Sequence, residues 1–422
     1  MTPSSSINVR NETVKHAAPI ICALLCLGVN NLPVLAAEEF ETIEKVPTSE
    51  VLPRSFLRSA NYEIDPVSYA KDNFYHFEVR ADHGNYKIAS LSMLRLRLHE
   101  ISTVSEISAR LNQSGVSLNR SPGGRRGVAS EFVVDILSDP LGTASQLLGN
   151  IQYNLEETFI ESKIGDPSSA VRSAGTDLNP GPHRRSAAAQ VGVDVYSSNP
   201  VLQELLDGIE KSRSAGKTAT SISPLMRNVF ARPAFGTGVF NARMLSLLKN
   251  MGSEDLNDLI ASKLKNIGVP AALRIAFVTQ PAFTPRTRLF FTAYLEILSD
   301  VSDVDRLVAA AASARTEVDA LAYVNYLRML AFYQLRSGDL VEVVTESRFP
   351  TLATSSRKAV LALPLDYLAW TESVSQAAVA LQELRASKAL ESLTVLLAGS
   401  PTERARAELA DRGVKVRARY SF

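Results

Sequence analysis

The stretch Leu393-Thr394-Val395-Leu396-Leu397-Ala398-Gly399-Ser400-Pro401-Thr402 passes from an apolar run straight into a helix start. The run reads as a strand, Gly399-Ser400-Pro401 turns the chain, and Ser400 before Pro401 suits the beginning of a helix. Gly413 ends that helix, and Val414 to Tyr420 reads as a second strand. One helix between two strands predicts a parallel pair, since antiparallel neighbours need only a tight turn. A chain that closes on a small parallel βαβ unit (about 393–420) after long stretches of helical spacing is α+β, mostly α.

Working outward, 191–422 reads as a helical domain that ends in this unit. Asn199-Pro200 places a cap before a first-turn proline, with Val201, Leu205, Leu206 and Ile209 as its apolar stripe. Ser253 opens another helix, acidic at its start and rich in lysine at its end, with Gly268 as the stop. Further helices are expected near 286–299, 303–314, 316–337 and 365–386. Before this domain, residues 162–190 are poor in large apolar side chains and contain Asn179-Pro180-Gly181-Pro182, so they read as a disordered linker.

The segment 61–161 reads as a domain of a β-hairpin plus helices. Phe74 to Ala81 alternates, with Tyr75, Phe77, Val79 and Ala81 on one face. Asp82-His83-Gly84-Asn85 turns the chain back into Tyr86-Lys87-Ile88-Ala89. A helix follows, capped by Ser90 or Ser92, with Leu91, Leu94, Leu98, Ile101 and Leu111 as its stripe and Arg95, Arg97 and Glu100 on its surface. Two more helices are expected at 128–137 and 141–160. Residues 37–60 read as an acidic, proline-containing lead-in.

The first 36 residues read as a signal peptide. Arg10 and Lys15 are basic, Ala17 to Val29 is a 13-residue uncharged run, and Val34-Leu35-Ala36 supplies small residues for cleavage between Ala36 and Ala37. That run is too short to span a bilayer, which takes roughly 18–20 apolar residues. The expected destination is periplasmic or extracellular, with no transmembrane span in the mature chain. Both cysteines leave with the leader, which excludes disulfides, thiol nucleophiles and thiolate metal sites from the mature chain. Of 45 basic and 44 acidic side chains, two and one leave with it, so the mature chain carries even charge. Even charge argues against nucleic acid as a partner.

Chemistry-bearing patterns are few. Gly216-Lys217-Thr218 ends like a phosphate-binding loop, but the glycine required five residues earlier is Lys211. His76, His83, His99 and His183 show no metal-ligand spacing, although His76 and His83 flank one turn. No nucleophile elbow occurs, so no catalytic residue, cofactor or metal is assigned. The remaining site is the strand-to-helix loop itself. Gly399, Ser400 and Thr402 stand where α/β units bind anions, because free N–H groups point outward there and two hydroxyls add donors.

Four segments together resemble an uncharacterised group of exported bacterial proteins. They are S-E-V-L-P (49–53), S-M-L-R-L-R-L-H-E-I (92–101), D-P-L-G-T-A (139–144) and G-V-D-V-Y-S-S-N-P-V-L-Q-E-L-L (192–206). The resemblance implies export and carries no activity to any residue. The expected function is a non-enzymatic binding or scaffold protein of the cell envelope, whose partner is another envelope protein. One alternative is a small-anion binder or enzyme using the loop at Gly399 to Thr402. The other is a peripheral membrane protein acting through 128–160, where acidic side chains oppose contact with anionic lipid.

Overall fold

The computed structural model describes residues 40–42, 44–113, 180–190, 192–214 and 237–420. The leader expected over the first 36 residues with cleavage between Ala36 and Ala37, the helices expected at 128–137 and 141–160, the first part of the expected linker and Gly216-Lys217-Thr218 lie outside the described residues.

The chain opens with strand β1 (Lys45–Pro47), helical turns α1 (Thr48–Val51) and α2 (Arg54–Leu57), and strands β2 (Tyr62–Ile64), β3 (Val67–Lys71), β4 (Phe74–Ala81) and β5 (Gly84–Ala89). Helices α3 (Leu91–Gln113), α4 (Pro182–Gln190), α5 (Pro200–Ser214), α6 (Thr237–Asn250) and α7 (Ser253–Asn266) follow. Next come α8 (Ala271–Val278), α9 (Pro285–Ile297), α10 (Asp305–Ala312) and α11 (Glu317–Ser337). The last elements are β6 (Leu340–Val343), β7 (Leu352–Thr354), β8 (Lys358–Leu363), β9 (Tyr367–Leu368), α12 (Glu372–Ser387), β10 (Ser392–Leu397), β11 (Ser400–Pro401), α13 (Glu403–Asp411) and β12 (Val414–Arg417). The class is α+β and mostly α, as its apolar spacing predicts.

The hairpin forms as read, with Phe77 opposite Ile88 and Val79 opposite Tyr86. Phe77, Val79 and Ile88 are buried while Glu78 and Arg80 face water, the alternation of a half-buried strand. The hairpin does not stand alone. The other edge of β4 pairs with both β2 and β3, and β1 joins β3 through Val46 opposite Ser68. The lead-in expected over 37–60 is therefore partly built into an antiparallel sheet. Thr48 fixes it there, since its buried hydroxyl lies 2.8 Å from that of Ser68 and donates to the Asp65 carbonyl at 2.7 Å. Strands of three to five residues are too short to show periodicity, so β1 reads as part of the lead-in and β2 and β3 leave no mark in the sequence.

The parallel pair also forms as read, with Leu393 opposite Val414 and Val395 opposite Val416. It is part of a mixed five-stranded sheet of order β12-β10-β8-β7-β6. Strand β8 runs parallel to β10, and β7 runs antiparallel to β8. The helix expected over 365–386 starts later, because Tyr367–Leu368 is β9 and Thr371 is the cap, accepting from the Val374 N–H at 3.3 Å.

The linker expected over 162–190 needs correction at its end. Pro182–Gln190 is α4, and Ala187 and Ala188 are buried, their small side chains allowing close helix approach. The described residues from Phe40 onward fall into one compact unit. A single core cluster runs from Leu52 to Val414. At its centre α9 and α11 are buried round most of their circumference, as a helix enclosed by neighbours must be. Phe277, Phe283 and Phe291 close one end, with ring centroids 4.7–5.8 Å apart.

Candidate functional site

The loop from β10 into α13 is held by the segment beneath it. Gly399 N–H donates to the Leu365 carbonyl at 2.8 Å, and Ser400 and Pro401 pair with Tyr367 and Leu368 as β11 on β9. Gly399 is required by space: a Cβ there would stand 1.8 Å from the Asp366 carbonyl oxygen. Thr402 N–H donates to the Leu368 carbonyl at 2.9 Å, and its hydroxyl oxygen caps α13 by accepting from the Ala405 N–H at 3.0 Å.

An anion does sit at this loop, and it belongs to the chain. One carboxylate oxygen of Glu41 accepts from the Thr402 hydroxyl at 2.6 Å and from the Trp370 N–H at 2.6 Å. The Glu41 N–H returns a bond to the Trp370 carbonyl at 2.8 Å. Of the three residues expected to take an anion, only Thr402 touches one. The Gly399 and Ser400 amides face carbonyl oxygens, and the Ser400 hydroxyl accepts from Arg419 Nε at 3.2 Å.

The neighbouring Asp366 joins the two sheets. Its carboxylate accepts from the N–H of Tyr75 at 3.1 Å and of Leu91 at 2.9 Å, and its own N–H donates to the Asn73 carbonyl at 3.0 Å. Tyr75 and Tyr367 lie with ring centroids 5.0 Å apart. Burial, with the Asp366 charge adding to it, pushes the Tyr75 phenol up to about 12.

A second polar cluster has no counterpart in the sequence reading. Arg97 and Glu100, expected on the surface of α3, are buried; Arg95 alone of the three is exposed. Arg97 Nη1 donates to Glu100 Oε2 and to the Ser197 hydroxyl, both at 2.7 Å, and its Nη2 donates to the Ser198 hydroxyl. Ser198 donates on to Glu317 Oε2 at 3.0 Å, and Asn199 Nδ2 donates to Glu100 Oε2 at 3.2 Å. Burial opposes the charge on Arg97, yet Glu100 and Glu317 outweigh it and hold the guanidinium more firmly protonated. Beside it Asp194 and Arg286 pair at 3.2 Å, their side chains 2% and 3% exposed. The His99 ring lies 3.1 Å from the Gly192 carbonyl, and burial pulls its pKa down.

These contacts join segments 92–101 and 192–206. The arrangement is chemically a lock. Its charges pair with one another, and α3, α11 and the turn before α5 are bound through them. The crevice between β8, β10 and α12, lined by Leu361, Leu381 and Leu393, leaves no room for a water molecule. Among the described residues no three His, Cys, Asp or Glu side chains converge as metal ligands, and no helix is long and apolar enough to cross a membrane. His76 and His83 stay at the hairpin, where burial and Lys71 lower the pKa of His76. No family model matches the chain, and neither a curated protein nor a solved structure matches it.

Proposed function

We propose that this chain is an exported, non-enzymatic binding or scaffold protein of the cell envelope, working in the periplasm or outside the cell with another envelope protein as its partner. The observation that supports it most is how the polar groups are spent. Glu41, Thr402, Asp366, Arg97 and Glu100 each bind elements far apart in sequence, which builds a rigid body rather than a reacting centre. The leader, the cysteine-free mature chain and the resemblance to exported proteins add the location.

The test uses the purified chain from Ala37 onward. It should form a stoichiometric complex with one recurrent envelope protein, read by size exclusion after mixing with envelope extract. Turnover of generic ester, peptide or glycan substrates, abolished by a single substitution, would overturn the reading.

A second reading keeps the loop as an anion site, because Thr402 and Trp370 do hold a carboxylate. In that reading Glu41→Ala frees the two donors, and anionic metabolites then raise the thermal midpoint of E41A but not of the parent. Absence of any such shift removes it.

A further inference from the structure

Helix α8 is apolar on both sides. Leu273, Phe277 and Val278 pack on the core, Phe277 fully buried against the rings of Phe283 and Phe291. Ala271, Ala272, Ile275, Ala276 and Thr279 are exposed, Ile275 at 66%. At about 100° per residue these five cover about 140° of the circumference, one continuous outward stripe. None of them is charged, and the Thr279 hydroxyl is spent on the Ile275 carbonyl at 2.8 Å. The one charge of the helix, Arg274, turns back, its Nη1 donating to the Val269 carbonyl at 2.6 Å. The adjoining α10 extends the neutral ground. Gln280 ties the two together by donating to the Ala312 carbonyl at 2.6 Å. Ala309 and Ser313 are exposed there, and Ser313 spends its hydroxyl on the Ala310 carbonyl at 2.6 Å.

Exposed apolar side chains elsewhere stand singly among charges, Leu335 beside exposed Arg336 and Val379 one turn from exposed Glu383. Such singles are ordinary. A helix apolar all round belongs in an enclosed place, and α8 is enclosed on one side only. We infer that its outward face is covered by the same face of a second copy of this chain, across a two-fold axis. Charge selects a copy. A partner bringing charged groups would bury them opposite a surface with nothing to pair them, whereas neutral ground meets neutral ground without that cost. Size selects it too. If α8 crosses its copy antiparallel about an axis between positions 275 and 276, Ile275 stands opposite Ala276 of the second copy and Ala272 opposite Thr279. The larger side chain meets the smaller in both halves, as an isologous contact requires, and the helix dipoles oppose one another. A helix of eight residues is about 12 Å long, so even with α10 the contact stays below the roughly 800 Å² per partner of a standard interface. The dimer is therefore weak, with a dissociation constant in the micromolar range.

This dimer goes beyond the scaffold reading and does not rest on it. The test is sedimentation equilibrium of the chain from Ala37 onward, across micromolar concentrations. Reversible monomer–dimer exchange is expected. Ile275→Asp should raise the dissociation constant more than about 100-fold, because each copy would bury an unpaired carboxylate. The position is exposed in the single chain, and unchanged circular dichroism confirms the fold of the variant. From Ala37 onward the chain has no cysteine, so an introduced one reports the contact alone. Ile275→Cys should oxidise to a disulfide-linked dimer, while Val379→Cys, exposed on α12, should stay monomeric.

A parent that is monomeric throughout the range overturns the inference. So does a dimer that survives I275D, or one that cross-links no faster through position 275 than through 379, since it then rests on another face. If the parent stays monomeric, captures an envelope protein and loses it in I275D, the face belongs to that partner. The second copy is then overturned while the scaffold reading stands.

Discussion

Arg97 and Glu100 stand one helical turn apart on α3, 2.7 Å between Nη1 and Oε2, with side chains only 6% and 0% exposed. Such a pair contributes little net stability against apolar replacements, because both ions lose their water, but removing one partner strands the other. Arg97→Met should therefore lower the unfolding free energy by about 3–5 kcal/mol. The double variant R97M/E100L should lose less than the two single changes add up to. Urea titration followed by circular dichroism measures both. Single variants within about 1 kcal/mol of the parent would show that the buried pair is not holding the helices.

Gly399 tests the loop. Because a Cβ at this position meets the Asp366 carbonyl at 1.8 Å, Gly399→Ala must push β11 off β9. Overpacking against backbone should cost about 3 kcal/mol or more. A thermal midpoint equal to that of the parent would mean the loop has slack that the structure does not show.

The contact of Glu41 with Thr402 should appear as coupling. Thr402→Ala removes a helix cap, worth about 1 kcal/mol, together with the donor to Glu41. Glu41→Ala removes the acceptor. The losses in E41A and T402A should exceed the loss in the double variant by about 0.5–3 kcal/mol, the range for residues in one network. The single tryptophan of the chain, Trp370, is fully buried beside this contact, so its emission reports the loop directly. Additive losses would disconnect the two residues.

His99 predicts a pH dependence. Burial lowers its pKa in the folded protein, whereas the unfolded chain takes the ordinary value near 6.5. The unfolded state then binds more protons as pH falls below about 6.5, so stability is present above that pH and lost beneath it. The neighbouring Glu100 and the Gly192 carbonyl temper the effect without reversing it. His99→Gln keeps a donor for the Gly192 carbonyl and does not titrate. The parent should lose stability relative to H99Q between about pH 6.5 and pH 5. Parallel curves for the two proteins would contradict this.

Local signals were legible in the sequence and distant ones were not. Alternation from Phe74 and the turn at Gly84 gave the hairpin, and Asn199 and Gly268 marked helix ends, since each acts within a few residues. Asn199 accepts from the Val201 N–H at 3.2 Å, and Gly268 takes the left-handed conformation that favours glycine, with φ of 94°. Strands β6 to β8 were missed because short apolar runs do not separate strand from helix. Arg97 and Glu100 fall off the stripe of Leu94, Leu98 and Ile101, and a stripe assumes one wet face. Met93, Leu96 and Val104 bury α3 on other sides, and the run M-L-R-L-R-L was the available hint. At the loop, residue types suggested an anion site; what Thr402 meets is the carboxylate of Glu41, 361 positions earlier, a distance no local pattern spans.

That separation sets an order of assembly. Synthesis from the amino end presents Glu41 long before Thr402, Trp370 or Asp366 exists. Strand β1 can find β3 at once, whereas the fastening of Glu41 waits for the mixed sheet, and the cost of closing so long a loop falls late. The segment that emerges first is thus the last to be secured.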